Sequence, residues 1–334
     1  MQDARRRGRS RRAPILAGIL AAALAAGGTL LAPEGAAAWG PWLPAPGDVT
    51  LRTRFLAHST RESYCPFTVG GGPETTCAHG ARARYPSEGE AEERMLTLDA
   101  EIGVGDRVAL DVRLAHYDLR FDDAFFLRET SGLGDVTVQA RFAAARGRVP
   151  LAPYLAVKIP VGREMIAPDA IPVGEHQTDV EVGLHAGLSL WPRPAFLQAR
   201  AAYRVRATNQ ETGRDPGDEA HVGADAGVWA GPLLLKAGVE RMSSERLRLE
   251  GGAEEPARSV TRFSAAAILR VSPRVEIEGG VFLPVAGRNY PAGATYAIGA
   301  AARFSPRRGS ALKVSETSPP RRGASSTASR FPAR

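Results

Sequence analysis

Between residues 48 and 304 apolar and polar side chains alternate with a period of two, the spacing that puts successive side chains on opposite faces of a β-strand. Val136, Val138, Ala140 and Phe142 alternate with Thr137, Gln139 and Arg141. Val180, Val182, Leu184, Ala186, Leu188 and Leu190 alternate with Glu181, Gly183, His185, Gly187 and Ser189. The same rule divides the chain into twelve segments: 48–58, 92–104, 107–119, 134–143, 150–161, 177–191, 195–207, 219–230, 233–242, 260–271, 274–285 and 295–304. No helical periodicity of useful length interrupts them.

The connections alternate as well. Those after segments two, four, six, eight and ten are short and carry Gly, Pro or Asp, as in Gly103–Asp106, Pro192–Pro194 and Gly231–Pro232. Those after segments one, three, five, seven, nine and eleven are longer. An even number of strands with short turns on one rim and long loops on the other predicts an all-β fold: an antiparallel, up-and-down transmembrane β-barrel of about twelve strands. A soluble sandwich is the competing architecture, because it too presents one apolar and one polar face. The repeated length of the strands and the alternation of connections favour the barrel. So does the terminal aromatic Phe304, which resembles the end of the last strand in exported barrels, although here a tail follows it.

The polar phase is heavily charged. Arg113, Arg141, Lys158, Asp179, Glu181, Arg200, Arg204 and Asp225 all fall on it, and a dry core of unpaired charges costs several kcal/mol per ion. These eight are the candidate lumen and solute-pathway residues. Two readings stand beside each other, an ion-pair network that stiffens the wall and a selective constriction for a small solute.

The chain has 334 residues and a formal charge of +7. The excess belongs to its ends, where 1–38 carries +4 and 305–334 carries +6, so the body between is net negative. No basic patch marks that body, which argues against a nucleic-acid partner. Residues 1–38 combine six arginines with an Ala/Leu-rich run and Ala36-Ala37-Ala38. That is the pattern of a cleaved export signal, with a retained membrane anchor as the alternative. Residues 39–304 form the barrel domain, and the Arg-, Ser- and Pro-rich 305–334 is expected to be a disordered basic tail. Cys65 and Cys77, in a Gly/Pro-rich loop of an exported chain, point to a disulfide. Metal binding with the nearby His79 is the weaker alternative. The segment 120–133 reads as an outer loop whose Phe121, Phe125 and Phe126 anchor in the interfacial girdle or line the mouth.

Catalytic and metal chemistry find little support. His116 lies on the apolar phase with no serine at i±2, so a Ser-His pair is missing. His185 and His221 lie on the lumen phase, on separate strands and without a ligand spacing. The turns GVGDR at 103–107 and SGLGD at 131–135 lack the Lys-Ser/Thr of a phosphate loop. The reading is therefore a non-enzyme that calls for no cofactor.

The ordered set SGLGDVTVQARF at 131–142, a strand ending KIPVG at 158–162, and GEHQTDVEVGL at 174–184 resembles the outer-membrane family named for the MetA pathway of phenol degradation. The resemblance implies a transporter-like barrel in the bacterial outer membrane that passes small, often aromatic or hydrophobic, compounds and has no catalytic residues. Its expected partners are outer-membrane lipid, a small-molecule solute and the barrel-assembly machinery. A non-conducting structural or surface-interaction barrel is the alternative.

Overall fold

The computed structural model describes residues 40–67, 74–161, 171, 173, 177–210, 213–248 and 254–306. The export signal expected at 1–38 and residues 307–334 of the expected tail lie outside them. Twelve staves build the wall. They are β1 (Val49–Thr60), β2 (Glu90–Gly105), β3 (Val108–Asp122), β4 in two pieces (Leu127–Leu133 and Val136–Phe142) and β5 (Leu151–Ile159). There follow β6 (Asp179–Ser189), β7 (Ala195–Arg206), β8 (Glu219–Ala230), β9 (Leu233–Ser244), β10 (Ser259–Ser272), β11 (Val275–Arg288) and β12 (Thr295–Phe304). Each stave pairs antiparallel with the next in sequence. The ring closes where β1 pairs with β12, in register from Val49 opposite Phe304 to His58 opposite Thr295. Through Val136–Phe142 and the other staves the ring is therefore closed, which removes the unpaired N–H and C=O groups that hydrocarbon does not tolerate.

The two phases of the alternation go where a membrane requires. Leu96 is 53% exposed on the outside, Ile298 66%, and Phe55, Leu155, Val182, Val222, Val239 and Ile277 are exposed with them. A continuous apolar exterior of this kind is a liability in water and a requirement in lipid. The charged phase is turned inward, where Arg141, Asp111, Asp179 and Glu181 are buried. Among the described residues no helix is long and apolar enough to cross a membrane, and the crossing is made by strands.

Two segments depart from the sequence reading. The loop expected over 120–133 is mostly strand: β3 runs to Asp122 and pairs with Leu127–Leu133, from His116 opposite Leu133 to Asp122 opposite Leu127. Only Asp123–Phe126 turn, held by the Asp123 carboxylate, which accepts from the Phe125 and Phe126 amides at 2.8 Å each. The polar phase hid this extension, because Arg128, Glu129, Thr130 and Ser131 carry no apolar alternation. The break in β4 is then at Gly134-Asp135. A side chain at Gly134 would meet the Tyr117 ring at 2.4 Å, so the glycine is there for close approach of an aromatic ring.

The long connection after β1 is not a bare loop. Glu62–Tyr64 pairs with Arg82–Arg84 and, on its other side, with Tyr290–Pro291 from the loop after β11. The Cys65–Cys77 disulfide closes this outer module. Phe67 stacks edge-on against Tyr85 at 5.6 Å, and Tyr85 against Phe121 at 5.5 Å. Phe121 thus belongs to the module rather than to an interfacial girdle, while Phe125, 74% exposed, and Phe126 stand at the hairpin tip. Burial pushes the Tyr85 phenol up to about 12.

Candidate lumen site

The short-turn end of the lumen has a floor made by the chain that precedes β1. Gly47 donates its amide to the Gly103 carbonyl at 2.7 Å, and Gly103 returns one to Asp48 at 2.9 Å. From there the segment Gly40–Gly47 runs back across the opening. Pro41 is fully buried. Trp42 packs edge-on against Phe196 at 5.4 Å. It caps a cluster of Phe196, Leu234 and Ile268, which point inward from β7, β9 and β10, with Trp229 beside it. Gly187 on β6 carries no side chain because one would strike Pro41 at 2.7 Å and Trp42 at 2.9 Å.

Opposite this apolar patch the segment is held by charge. Arg141, 1% exposed, donates to the Asp111 carboxylate at 2.7 and 2.8 Å, to Glu101 at 2.5 Å and to the Gly40 carbonyl. Gln139 donates to the same Asp111 at 3.1 Å. A guanidinium so surrounded donates from all three of its nitrogens in one plane, something a lysine cannot do. In the sequence, 40–47 stands out only by its three prolines. Prolines and tryptophans with no alternation give no sign of where the segment docks, and only Arg141 hints that its strand needs an inward partner.

Above the floor two further networks line the wall. Glu181 is a hub: Arg200 donates to it at 2.5 Å, Arg204 at 2.8 and 3.0 Å, and the Tyr154 hydroxyl at 2.6 Å. Gly183 leaves room for the Tyr154 ring, which a side chain there would meet at 2.5 Å, and that ring stacks on His185 at 4.8 Å. Arg204 also reaches Glu219, which Arg206 joins at 3.0 Å. Toward the outer rim Lys158 pairs with Asp135 at 3.1 Å and Asp179 at 3.0 Å. On the opposite wall Arg113 and Arg54 share Asp99, at 2.5 and 2.9 Å, and Arg52 pairs with Glu278.

All eight sequence-predicted residues therefore face the lumen, seven of them in three groups. Arg141 belongs to the floor, Arg113 to the Asp99 pair, and Lys158, Asp179, Glu181, Arg200 and Arg204 to the side networks. Asp225 stands apart from these networks and accepts from Gln198 at 3.0 Å. His116 points outward, between Leu96 and Leu133 in register. His221 lies 3.2 Å from the Glu219 carboxylate. Among the described residues no group of His, Cys, Asp and Glu is arranged to hold a metal ion.

What the networks leave open is a chamber between floor and outer rim. One cavity of about 260 Å³ is bounded by Arg113, His185, Arg200, His221 and Arg262. A second of about 160 Å³ extends toward β1, β11 and β12, and the two share Asp225, Lys236, Ser264 and Phe282. The chamber can hold a small molecule, with ionic walls on the β3–β8 side and small residues on the β10–β12 side.

The family model described as putative MetA-pathway of phenol degradation matches residues 80–299. Among solved structures, an outer membrane channel from Pseudomonas putida F1 superposes with a TM-score of 0.65 at 15% identity, covering 80% of this chain and 100% of that one. The β-domain of a Bordetella autotransporter gives a TM-score of 0.46 at 11% identity, covering 77% of this chain and 100% of that one. The translocator domain of a Neisseria meningitidis autotransporter gives 0.44 at 11%, covering 78% and 90%. No curated protein matches this chain.

Proposed function

Because this chain belongs to the family described as putative MetA-pathway of phenol degradation, we propose that it is a channel of the bacterial outer membrane for small solutes, aromatic and hydrophobic ones among them. The observation that carries the reading is the chamber itself, a space between ionic and apolar walls in a barrel whose outside is apolar. The P. putida protein, which shares the fold, is described as an outer membrane channel. On this reading residues 1–38 direct export and are removed, the barrel-assembly machinery recognises the last strand ending in Phe304, and the eight lumen residues line the route. Arg200 and Arg204, held on Glu181, narrow that route, and the Gly40–Gly47 segment sets how far the inner end is open.

Liposome swelling with purified protein tests the proposal. Swelling in isosmotic solutions of small aromatic or sugar solutes, faster than in protein-free vesicles, is the expected result. The filled floor and the ion-paired walls favour a second reading, a non-conducting barrel that works through its outer module. No swelling by the wild type or by a variant with an opened floor would establish that second reading instead.

A further inference from the structure

We propose that the chamber binds a compact organic carboxylate, with the acid group at Lys236 and the apolar body on the small-residue row beside it. The inference deepens the channel reading and rests on the lumen being a solute path, but its binding step is tested separately from passage. Four lumen positions stand in one row across β9 to β12. Lys236 is in register with Ala266, Ala266 with Gly280, and Gly280 with Ala297. The row begins with a cation and continues as a shallow trough, since Gly280 has no side chain and the two alanines have one methyl each. A side chain at Gly280 would crowd the Ala266 methyl at 3.2 Å, so the trough is already as shallow as its packing permits.

The next row toward the outer rim is Ser264 opposite Phe282. It supplies a hydroxyl donor beside Lys236 and an aromatic wall beside the trough. The 160 Å³ cavity lies over this arrangement and is bounded by Ala266, Gly280, Phe282 and Ala297.

The charge pattern selects an anion. Arg52, Arg54, Arg113, Arg200 and Arg262 are each engaged with a carboxylate of the wall. Among the described residues Lys236 has no ion-pair or hydrogen-bond partner, and it lines both cavities. Asp225 is the carboxylate that shares both cavities with it, and Gln198 occupies one oxygen of Asp225. An ammonium in a partly apolar chamber, partly shielded from solvent, attracts a carboxylate more strongly than it does in water. The apolar trough adds the requirement for a flat or compact hydrocarbon body.

The test is titration calorimetry on the full-length purified protein in a non-ionic detergent, with benzoate, its neutral isostere benzamide, and benzylammonium. Benzoate is expected to bind more tightly than either of the others. Lys236→Gln is expected to weaken benzoate about tenfold or more, the loss of a charge-assisted hydrogen bond, and to leave benzamide unchanged. Asp225→Asn, which removes the neighbouring negative charge, is expected to tighten benzoate. Heat-modifiable gel migration confirms that each variant is folded, and the wild-type comparison needs no variant. Equal binding of benzoate and benzamide, tighter binding of benzylammonium, or no effect of either substitution would overturn the assignment. Benzoate binding through Lys236 without any solute passage would leave this site standing and remove the channel reading. Passage without benzoate preference would do the reverse.

Discussion

The guanidinium of Arg141 is shared between the carboxylate of Asp111 on the neighbouring strand and the carbonyl oxygen of Gly40 in the segment that crosses the barrel floor. One buried side chain thus joins wall and floor. Arg141→Gln leaves Asp111 buried against Gln139 alone and releases the end of the segment. Removing one partner of a buried pair costs about 3–5 kcal/mol, set here against a whole β-barrel. The expected outcome is a folded barrel of lower thermal stability and higher single-channel conductance. A variant with unchanged conductance would show that the Gly40 contact does not hold the floor.

The Glu181 hub governs the sign of the lumen wall. Glu181→Gln removes one negative charge and leaves Arg200 and Arg204 without their principal partner. The route then favours anions, and the reversal potential in a salt gradient shifts in the anion-selective direction. Arg204→Ala removes one positive charge from the same place and is expected to shift it the other way. Shifts of equal sign, or none, would mean that the hub stiffens the wall without facing the conducting path.

Strands and their inner and outer faces are legible in the sequence because a two-residue period needs only side-chain polarity to be read. Val180 to Leu188 and Val136 to Phe142 lie on the strands and faces expected. The disulfide, too, follows from a residue pair in one loop. The floor is not legible, because Gly40–Gly47 has no period and its partners Phe196, Leu234 and Arg141 are supplied by strands far along the chain. Leu127–Leu133 escapes for a related reason: beyond the membrane both faces of a strand meet water, and alternation is lost. The hub at Glu181 was half legible. Charges on adjacent strands announce a network, but the register that sets Glu181 opposite Arg204, and Arg200 opposite His185, is fixed only by the pairing of β6 with β7.

The outer module depends on its disulfide. The twelve-residue separation between Cys65 and Cys77 corresponds to roughly 3 kcal/mol of chain entropy removed from the open loop. In a Cys65→Ser, Cys77→Ser double variant the loop is expected to become accessible to protease, while the barrel keeps its heat-modifiable migration. Loss of the folded barrel itself would contradict the assignment of the disulfide to the module alone.

Tyr85 makes the same module sensitive to high pH. Its phenol ionises near 10 when free and is pushed up to about 12 by burial. The folded module favours the neutral form, so its stability is full below 10 and falls as the pH rises from 10 toward 12. The loss by pH 12 is about 2–3 kcal/mol. Protease sensitivity of the loop is expected to increase across that interval in the wild type and to stay flat in Tyr85→Phe. A parallel rise in both proteins would place the cause elsewhere.

On the proposed function the lumen conducts, and its inner end is closed by the segment that carries Trp42. Planar-bilayer conductance of the wild type, compared with a variant lacking residues 40–46, tests it most directly. A small wild-type conductance that rises severalfold on deletion is the predicted result. Equal conductances, or none in either protein, would contradict it.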